Sequence, residues 1–199
     1  MSQRIGNPRG DTLIVTALEL ELPTFWGGPV LFTGVGKIRA ASSLAKYLAQ
    51  HPSINNVINY GTAGGIKGVG KNHIYPVNRF IESDFRSCSL NLPHRDMIVV
   101  DSWLEGVDHL CASTQDHFVT DPTELDDVPF GKEANVVDME SYALAYVCQQ
   151  FGVQFMCYKY ISDDADETAA TEWIENVDGG EEQFIKILLE HHGYVQLGG

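Results

Sequence analysis

Three carboxylates stand just past apolar, strand-like runs: Glu21 follows "TLIVTAL" (12–18), Glu140 follows "ANVVDM" (134–139), and Asp163 follows "QFMCYKYIS" (154–162). A fourth, Asp138, lies inside the second run. Carboxylates placed at strand ends suit paired acid–base work, in which one group keeps a proton to give and another takes one from water. Burial equips one for the acid role, because leaving water disfavours its charged form. A plainer use is also open to them. Ser, Asp and similar residues at a strand-to-helix junction cap helices, and "ISDDADET" (161–168) reads equally as an acidic turn opening one.

The elements that must position these groups are legible from periodicity. Apolar runs at 12–18, 30–35, 56–61, 74–81, 97–103, 134–139 and 154–162 read as strands, several without alternation, as for strands covered on both faces. Between them, "GKIRAASSLAKYLAQ" carries Ile38, Ala41, Leu44, Ala45 and Leu48 on one helical stripe, with Pro52 just beyond. "MESYALAYVCQQFG" is apolar nearly all round and ends at Gly152, the pattern of a buried helix with a glycine cap. "EEQFIKILLEHH" (181–192) opens with acids and closes with histidines, matching the helix dipole. Strand–helix alternation predicts an α/β fold: a three-layer α/β/α sandwich around a mixed, mostly parallel central sheet. One domain over 11–193 is expected, with 1–10 a flexible leader and 194–199 a tail. In such sheets ligands gather beyond the carboxyl ends of the strands, where the acids fall.

Composition narrows the classes. A net charge of -14 argues against a nucleic-acid partner held through phosphates. No apolar run reaches the roughly 20 residues of a membrane span. Four cysteines without CxxC spacing fit reduced thiols in a cytoplasmic protein. Glycine motifs are weaker than they look. "GVGKIRA" has Arg39 where a dinucleotide fingerprint needs Gly or Ala, and no acid follows before Glu82. "NYGTAGGI" (59–66) lacks the Gly-Lys-Ser/Thr ending of a P-loop, and alone reads as a tight turn. The acidic stretch lacks the EF-hand order, and the seven histidines form no zinc spacing, so no metal and no cofactor are expected. His117 beside Asp116 would be a catalytic dyad only if neighbours on the chain faced each other.

Taken in order, "TALELEL", "TGVGKIRAA", "NYGTAGGI", "STQDHFV", "VVDMESYALAYVCQQFGV" and "YKYISDDADE" resemble the nucleoside phosphorylase/nucleosidase superfamily. The resemblance is nearest to its 5′-methylthioadenosine/S-adenosylhomocysteine nucleosidases and runs from about Leu13 to Leu189. It implies hydrolysis of the N-glycosidic bond of a purine nucleoside, with adenine the base, by a homodimer. Glu21 matches the carboxylate that activates water, and Asp163 the acid that protonates purine N7, oriented by Ser162. Met139 and Glu140 match the pair under the ribose, with Glu140 accepting from its hydroxyls. Phe118 matches the aromatic that stacks on the base, and Val119 the residue whose backbone reads its edge. Val35, Thr62, Trp173 and Leu18 match further pocket positions, and Asp138 a less defined one.

Some positions depart from the pattern. Lys159 stands where those enzymes carry arginine, Leu18 where they carry methionine, and Trp173 where they carry phenylalanine. The segment from about Asp84 to Met97, which in them helps enclose the 5′ substituent, is short. Two other readings use the same pocket. A phosphate-dependent phosphorylase would want arginines, one at the place of Asn59, and no acid at Glu21. A non-catalytic nucleoside-binding module would need the sugar and base contacts but not the water-activating carboxylate.

Overall fold

The computed structural model describes residues 5–7, 9–23, 28–85, 97–101 and 103–196. The strands are β1 (Ile5–Gly6), β2 (Thr12–Thr16), β3 (Val30–Phe32), β4 (Asn56–Gly65), β5 (Ile74–Glu82), β6 (Ile98–Val99), β7 (Leu110–Thr114), β8 (Val136–Asp138), β9 (Gln154–Asp163) and β10 (Val195–Gln196). The helices are α1 (Lys37–Gln50), α2 (Ser141–Phe151), α3 (Ala169–Asn176) and α4 (Glu181–His191). The main sheet runs β3-β2-β4-β8-β7-β5-β6, and β9 bridges β4 to β5, so its middle strands form a closed ring. Its pairings are parallel between β2 and β3, β2 and β4, β4 and β9, β5 and β7, and β7 and β8. They are antiparallel between β4 and β8, β5 and β6, and β5 and β9. The sheet is therefore mixed and mostly parallel.

Helices cover both faces because the central strands are apolar on both. Leu13, Val15 and Val57 point to the side where Leu44 and Leu48 of α1 and Leu144 and Cys148 of α2 pack. Ile14, Ile58 and Tyr60, one residue out of phase, point to the side of Phe184 and Leu188 of α4. Gly152 ends α2 in the left-handed conformation, as its glycine cap requires.

The differences from the sequence expectation have local causes. The run 12–18 stops as strand at Thr16 and turns into a 3-10 helix at Glu19–Glu21. "GTAGG" continues β4 and does not turn. Among the described residues of the run 97–103, only Ile98–Val99 is strand. Leu110–Thr114 becomes a strand although its Cys, Ala, Ser and Thr give little apolar signal; pairing with β5 and β8 on its two sides makes it one. Residues 5–6 and 195–196, assigned to leader and tail, pair with each other, and Ile5 is fully buried in the α4-side cluster. Cys111, Cys148 and Cys157 are buried free thiols, and Cys88 lies outside the described residues.

Candidate active site

One cavity of about 190 Å³ opens where β2, β4, β8 and β9 end, and it is lined by Glu21, Glu140 and Asp163 together. Leu18, Val35, Thr62, Phe118, Val119, Met139 and Trp173 also line it, as does Asp138. Of the residues singled out from the sequence, only Ser162 stands back from the wall. It is wholly buried behind Asp163.

Glu21 is 3% exposed. Its Oε2 accepts from Thr16 Oγ1 (2.7 Å) and from the backbone N–H groups of Ala17 (3.1 Å) and Leu18 (3.0 Å). Its Oε1 accepts from the N–H of Thr62 (2.8 Å) and from Thr62 Oγ1 (3.1 Å). The abrupt turn after β2 makes this possible, because it folds the glutamate back onto the end of its own strand. Donors on both oxygens lock the side chain in place. The Trp173 indole donates to Thr62 Oγ1 (2.9 Å), tying α3 to the same group.

Asp138 and Glu140 sit at the junction of β8 with α2, but they do different things. Asp138 caps: its Oδ2 accepts from the Ser141 N–H (2.9 Å) and its Oδ1 from Ser141 Oγ (3.0 Å) and Thr114 Oγ1 (2.6 Å). Lys159 Nζ lies 2.7 Å from Asp138 Oδ2, with both side chains buried. Burial is the largest single influence and raises the Asp138 carboxyl, but the Lys159 ammonium and the hydrogen bonds from Thr114 and Ser141 together hold the group below its usual range. Glu140 makes no cap bond, although it occupies the N-cap position. Its Oε1 instead accepts from the N–H of Gly36 (2.9 Å), at the start of α1. Gly36 has φ 97°, a conformation that glycine alone adopts without strain, and so brings its N–H up to the acid. Burial, then the neighbouring Asp138 charge, push Glu140 up to about 7.

A β-bulge sets Asp163. Along β4 and β9 the register pairs Ala63 with Ile161 and then Gly64 with Asp163, leaving Ser162 unpaired. The extra residue re-aims the end of the strand. Ser162 Oγ donates to Asp163 Oδ2 (2.8 Å), and the Ala165 N–H donates to Oδ1 (3.0 Å). Gly64 leaves room for the carboxyl, since a Cβ there would lie 2.7 Å from Asp163 Oδ1. Asp163 is 2% exposed, and burial raises its pKa against the two hydrogen bonds that lower it.

Phe118 is 42% exposed at the mouth, and Val119 is buried behind it. The segment carrying them is pinned to α1: the Lys37 N–H donates to Asp116 Oδ1 (2.7 Å), and Lys37 Nζ lies 3.2 Å from Glu82 Oε1. Asp116 and His117 do not form a dyad; His117 Nε2 meets Glu124 Oε1 at 2.9 Å. Sequence reasoning missed Gln115, His117, Ala17, Gly64 and Val137 as lining residues. Gln115 and His117 lie inside "STQDHFV", so the motif flagged the segment but not which side chains turn inward. Asn59 faces away from any ligand. Its Nδ2 donates to the carbonyls of Val15 (3.0 Å) and Tyr60 (3.2 Å). Among the described residues no Lys or Arg lines the cavity, and no cluster of His, Cys, Asp and Glu could hold a metal ion.

Residues 19–191, which span the layered mixed sheet and its converging acids, match the model of the phosphorylase superfamily. The chain belongs to that superfamily. Within it, the chain is 30% identical over 177 residues to a 5′-methylthioadenosine/S-adenosylhomocysteine nucleosidase of an Exiguobacterium species, covering 70% of this chain and 69% of that one. It is 41% identical over 61 residues to the nucleosidase of the same name from Buchnera aphidicola, a stretch that spans 29% of this chain and 26% of the relative. Among solved structures it is similar to the Neisseria meningitidis nucleosidase in complex with methylthio-immucillin-A, with TM-score 0.77, 20% identity, and 92% and 98% of the two chains covered.

Proposed function

We propose that this chain hydrolyses the N-glycosidic bond of a purine nucleoside of the methylthioadenosine or adenosylhomocysteine kind, releasing the free base, with adenine the first candidate. The observation that carries the reading is the convergence of Glu21, Glu140 and Asp163 on one cavity whose described lining holds no cation for a phosphate. The nucleosidase relatives support it.

Asp163, whose protonated form burial favours, gives its proton to N7 of the purine as the bond to the sugar lengthens, and Ser162 holds the carboxyl in that orientation. The sugar becomes cationic. Glu140, ionised against the Gly36 N–H, accepts from the ribose hydroxyls and places negative charge beside it, where a dry wall strengthens the attraction. Met139 packs beneath the ring, and Phe118 with Val119 holds the base. Glu21 takes the proton of the attacking water. Its oxygens already have five donors, two of them hydroxyls, and only the hydroxyl of Thr62 lines the cavity. Rotation of that hydroxyl opens Oε1 to the water. Leu18, Val35 and Trp173 form an apolar wall for the 5′ group. A cytoplasmic homodimer is part of the same proposal, on the resemblance alone.

The test is turnover by Asp163→Asn and Glu21→Gln. Each is expected to lose at least roughly 100-fold in kcat while keeping the wild-type fold by circular dichroism. Full activity in either well-folded variant would refute the assignment of roles.

A further inference from the structure

Trp173 stands on α3 with its indole Nε1 2.9 Å from Thr62 Oγ1, and that oxygen lies 3.1 Å from Glu21 Oε1. Three side chains thus link α3 to the carboxylate that serves as base in the proposed reaction. Donor chemistry fixes the direction of each bond. An indole nitrogen can only donate, and the ionised carboxylate that takes a proton from water can only accept. The hydroxyl between them has one hydrogen and two lone pairs. Thr62 Oγ1 therefore accepts from Trp173, and its single hydrogen is left for Glu21.

Both ends of this link are held by other contacts. On α3, Asn176 Nδ2 donates to the Ser162 carbonyl (2.9 Å), and Glu172 Oε1 lies 2.7 Å from Lys71 Nζ. At the other end, the Thr62 N–H donates to the same Glu21 Oε1 (2.8 Å). The β-branched Thr62 side chain is itself stiff about χ1, so the free motion left is rotation of its hydroxyl. With the indole N–H on one lone pair, the hydrogen cannot turn toward α3. It goes to Glu21, or into the cavity that Thr62 and Trp173 both line. A phenylalanine in place of Trp173 would fill the same space and supply no donor.

We propose that Trp173 is a positioning residue for the attack of water: its indole N–H, by holding Thr62 Oγ1, confines that hydroxyl to the directions that orient or release Glu21 Oε1. The inference rests on the nucleosidase reading. It assigns Trp173 a task beyond that of an apolar wall, carried out wholly through Thr62.

The experiment is a double-variant cycle of Trp173→Phe and Thr62→Val, with kcat and KM measured on adenosine and methylthioadenosine and urea stability measured for all four proteins. Trp173→Phe is expected to lower kcat roughly three- to tenfold, about what one hydrogen bond is worth, and by the same factor on both substrates. Because the effect passes through the hydroxyl, adding Trp173→Phe to Thr62→Val should cost nothing further, whereas adding it to Thr62→Ser, which keeps the hydroxyl, should cost the same factor again. Unchanged kcat in Trp173→Phe would overturn the proposal. So would a loss confined to KM or to methylthioadenosine, which is the mark of a wall, or an equal loss in the Thr62→Val background. If wild type releases no base from either nucleoside, the nucleosidase reading fails first, and the stability cycle then decides the link. Coupled losses of stability would uphold it, and additive ones would overturn it.

Discussion

Two buried acids with opposite tasks are what the residues of this cavity come down to. Asp163 must hold a proton and Glu140 must lose one, and burial favours the protonated form of both. Burial raises Asp163. Glu140 is also raised, to about 7, but the Gly36 N–H and Lys159 pull against burial and Asp138. The kcat/KM profile of the free enzyme should therefore fall on the acid side as Glu140 takes up a proton near pH 7. Glu140→Gln should abolish the acid limb as well as lower the rate. A profile that stays flat from pH 5 to 8 in the wild type would contradict this assignment. Deeper still is the Lys159–Asp138 pair. Lys159→Met leaves a buried carboxylate without its counter-charge, and it should destabilise the fold by roughly 3–5 kcal/mol in urea titrations. Replacing both partners by apolar residues should recover much of that loss, because no orphaned charge then remains.

Among the elements, the glycine-rich end of β4 and the bulged end of β9 are a matched pair. Gly64 faces Asp163 because any side chain there would occupy the carboxyl's place; a Cβ would also lie 3.0 Å from Ala165 Cβ and Val137 Cγ2. Gly64→Ala is expected to displace Asp163, with a drop in kcat of roughly 100-fold and a modest destabilisation of about 1–3 kcal/mol. Unchanged kcat would mean that the acid tolerates displacement and the bulge is not what aims it. The sequence showed the acids and the glycines but not this matching. "NYGTAGGI" reads as a turn because glycine usually breaks strands; it remains strand because β2, β8 and β9 pair with it on both sides. Likewise "ISDDADE" displays Ser162 and Asp163 side by side, and only the slipped register turns one behind the other. Ten of the eleven residues named for the site line the cavity because the family resemblance marked them; periodicity found only some of their elements, missing β7 ahead of Phe118 and Val119 and the helix that carries Trp173. Gly64 escaped notice because its importance lies in what it faces.

At the scale of the whole molecule, residues 5–6 and 195–196 hold distant parts of the chain together. Strand β1 pairs with β10, and Tyr158 joins the C-terminal region to the sheet. Tyr158 accepts from the Trp103 indole (2.8 Å), and its hydroxyl also lies in hydrogen-bond contact with His192 Nε2 (2.6 Å). Burial, with His191 nearby, lowers His192 to about 4. The unfolded chain binds that proton near pH 6.5, so the fold is penalised progressively as pH falls from about 6.5 toward 4. Melting temperature should drop across this window, with a shallower slope in His192→Gln. An identical slope in the variant would remove His192 from the account. Periodicity could not show this closure, since two-residue strands at the termini carry no repeat to read.

The account turns on water, and not phosphate, attacking a nucleoside held among three acids. The direct measurement is base release by purified protein from methylthioadenosine, adenosylhomocysteine, adenosine and inosine in phosphate-free buffer, with the sugar product identified. Free base and free sugar from at least one of them, at a rate indifferent to added phosphate, is the predicted result. Release that requires phosphate and yields a sugar 1-phosphate would contradict the account, as would nucleoside binding without any cleavage.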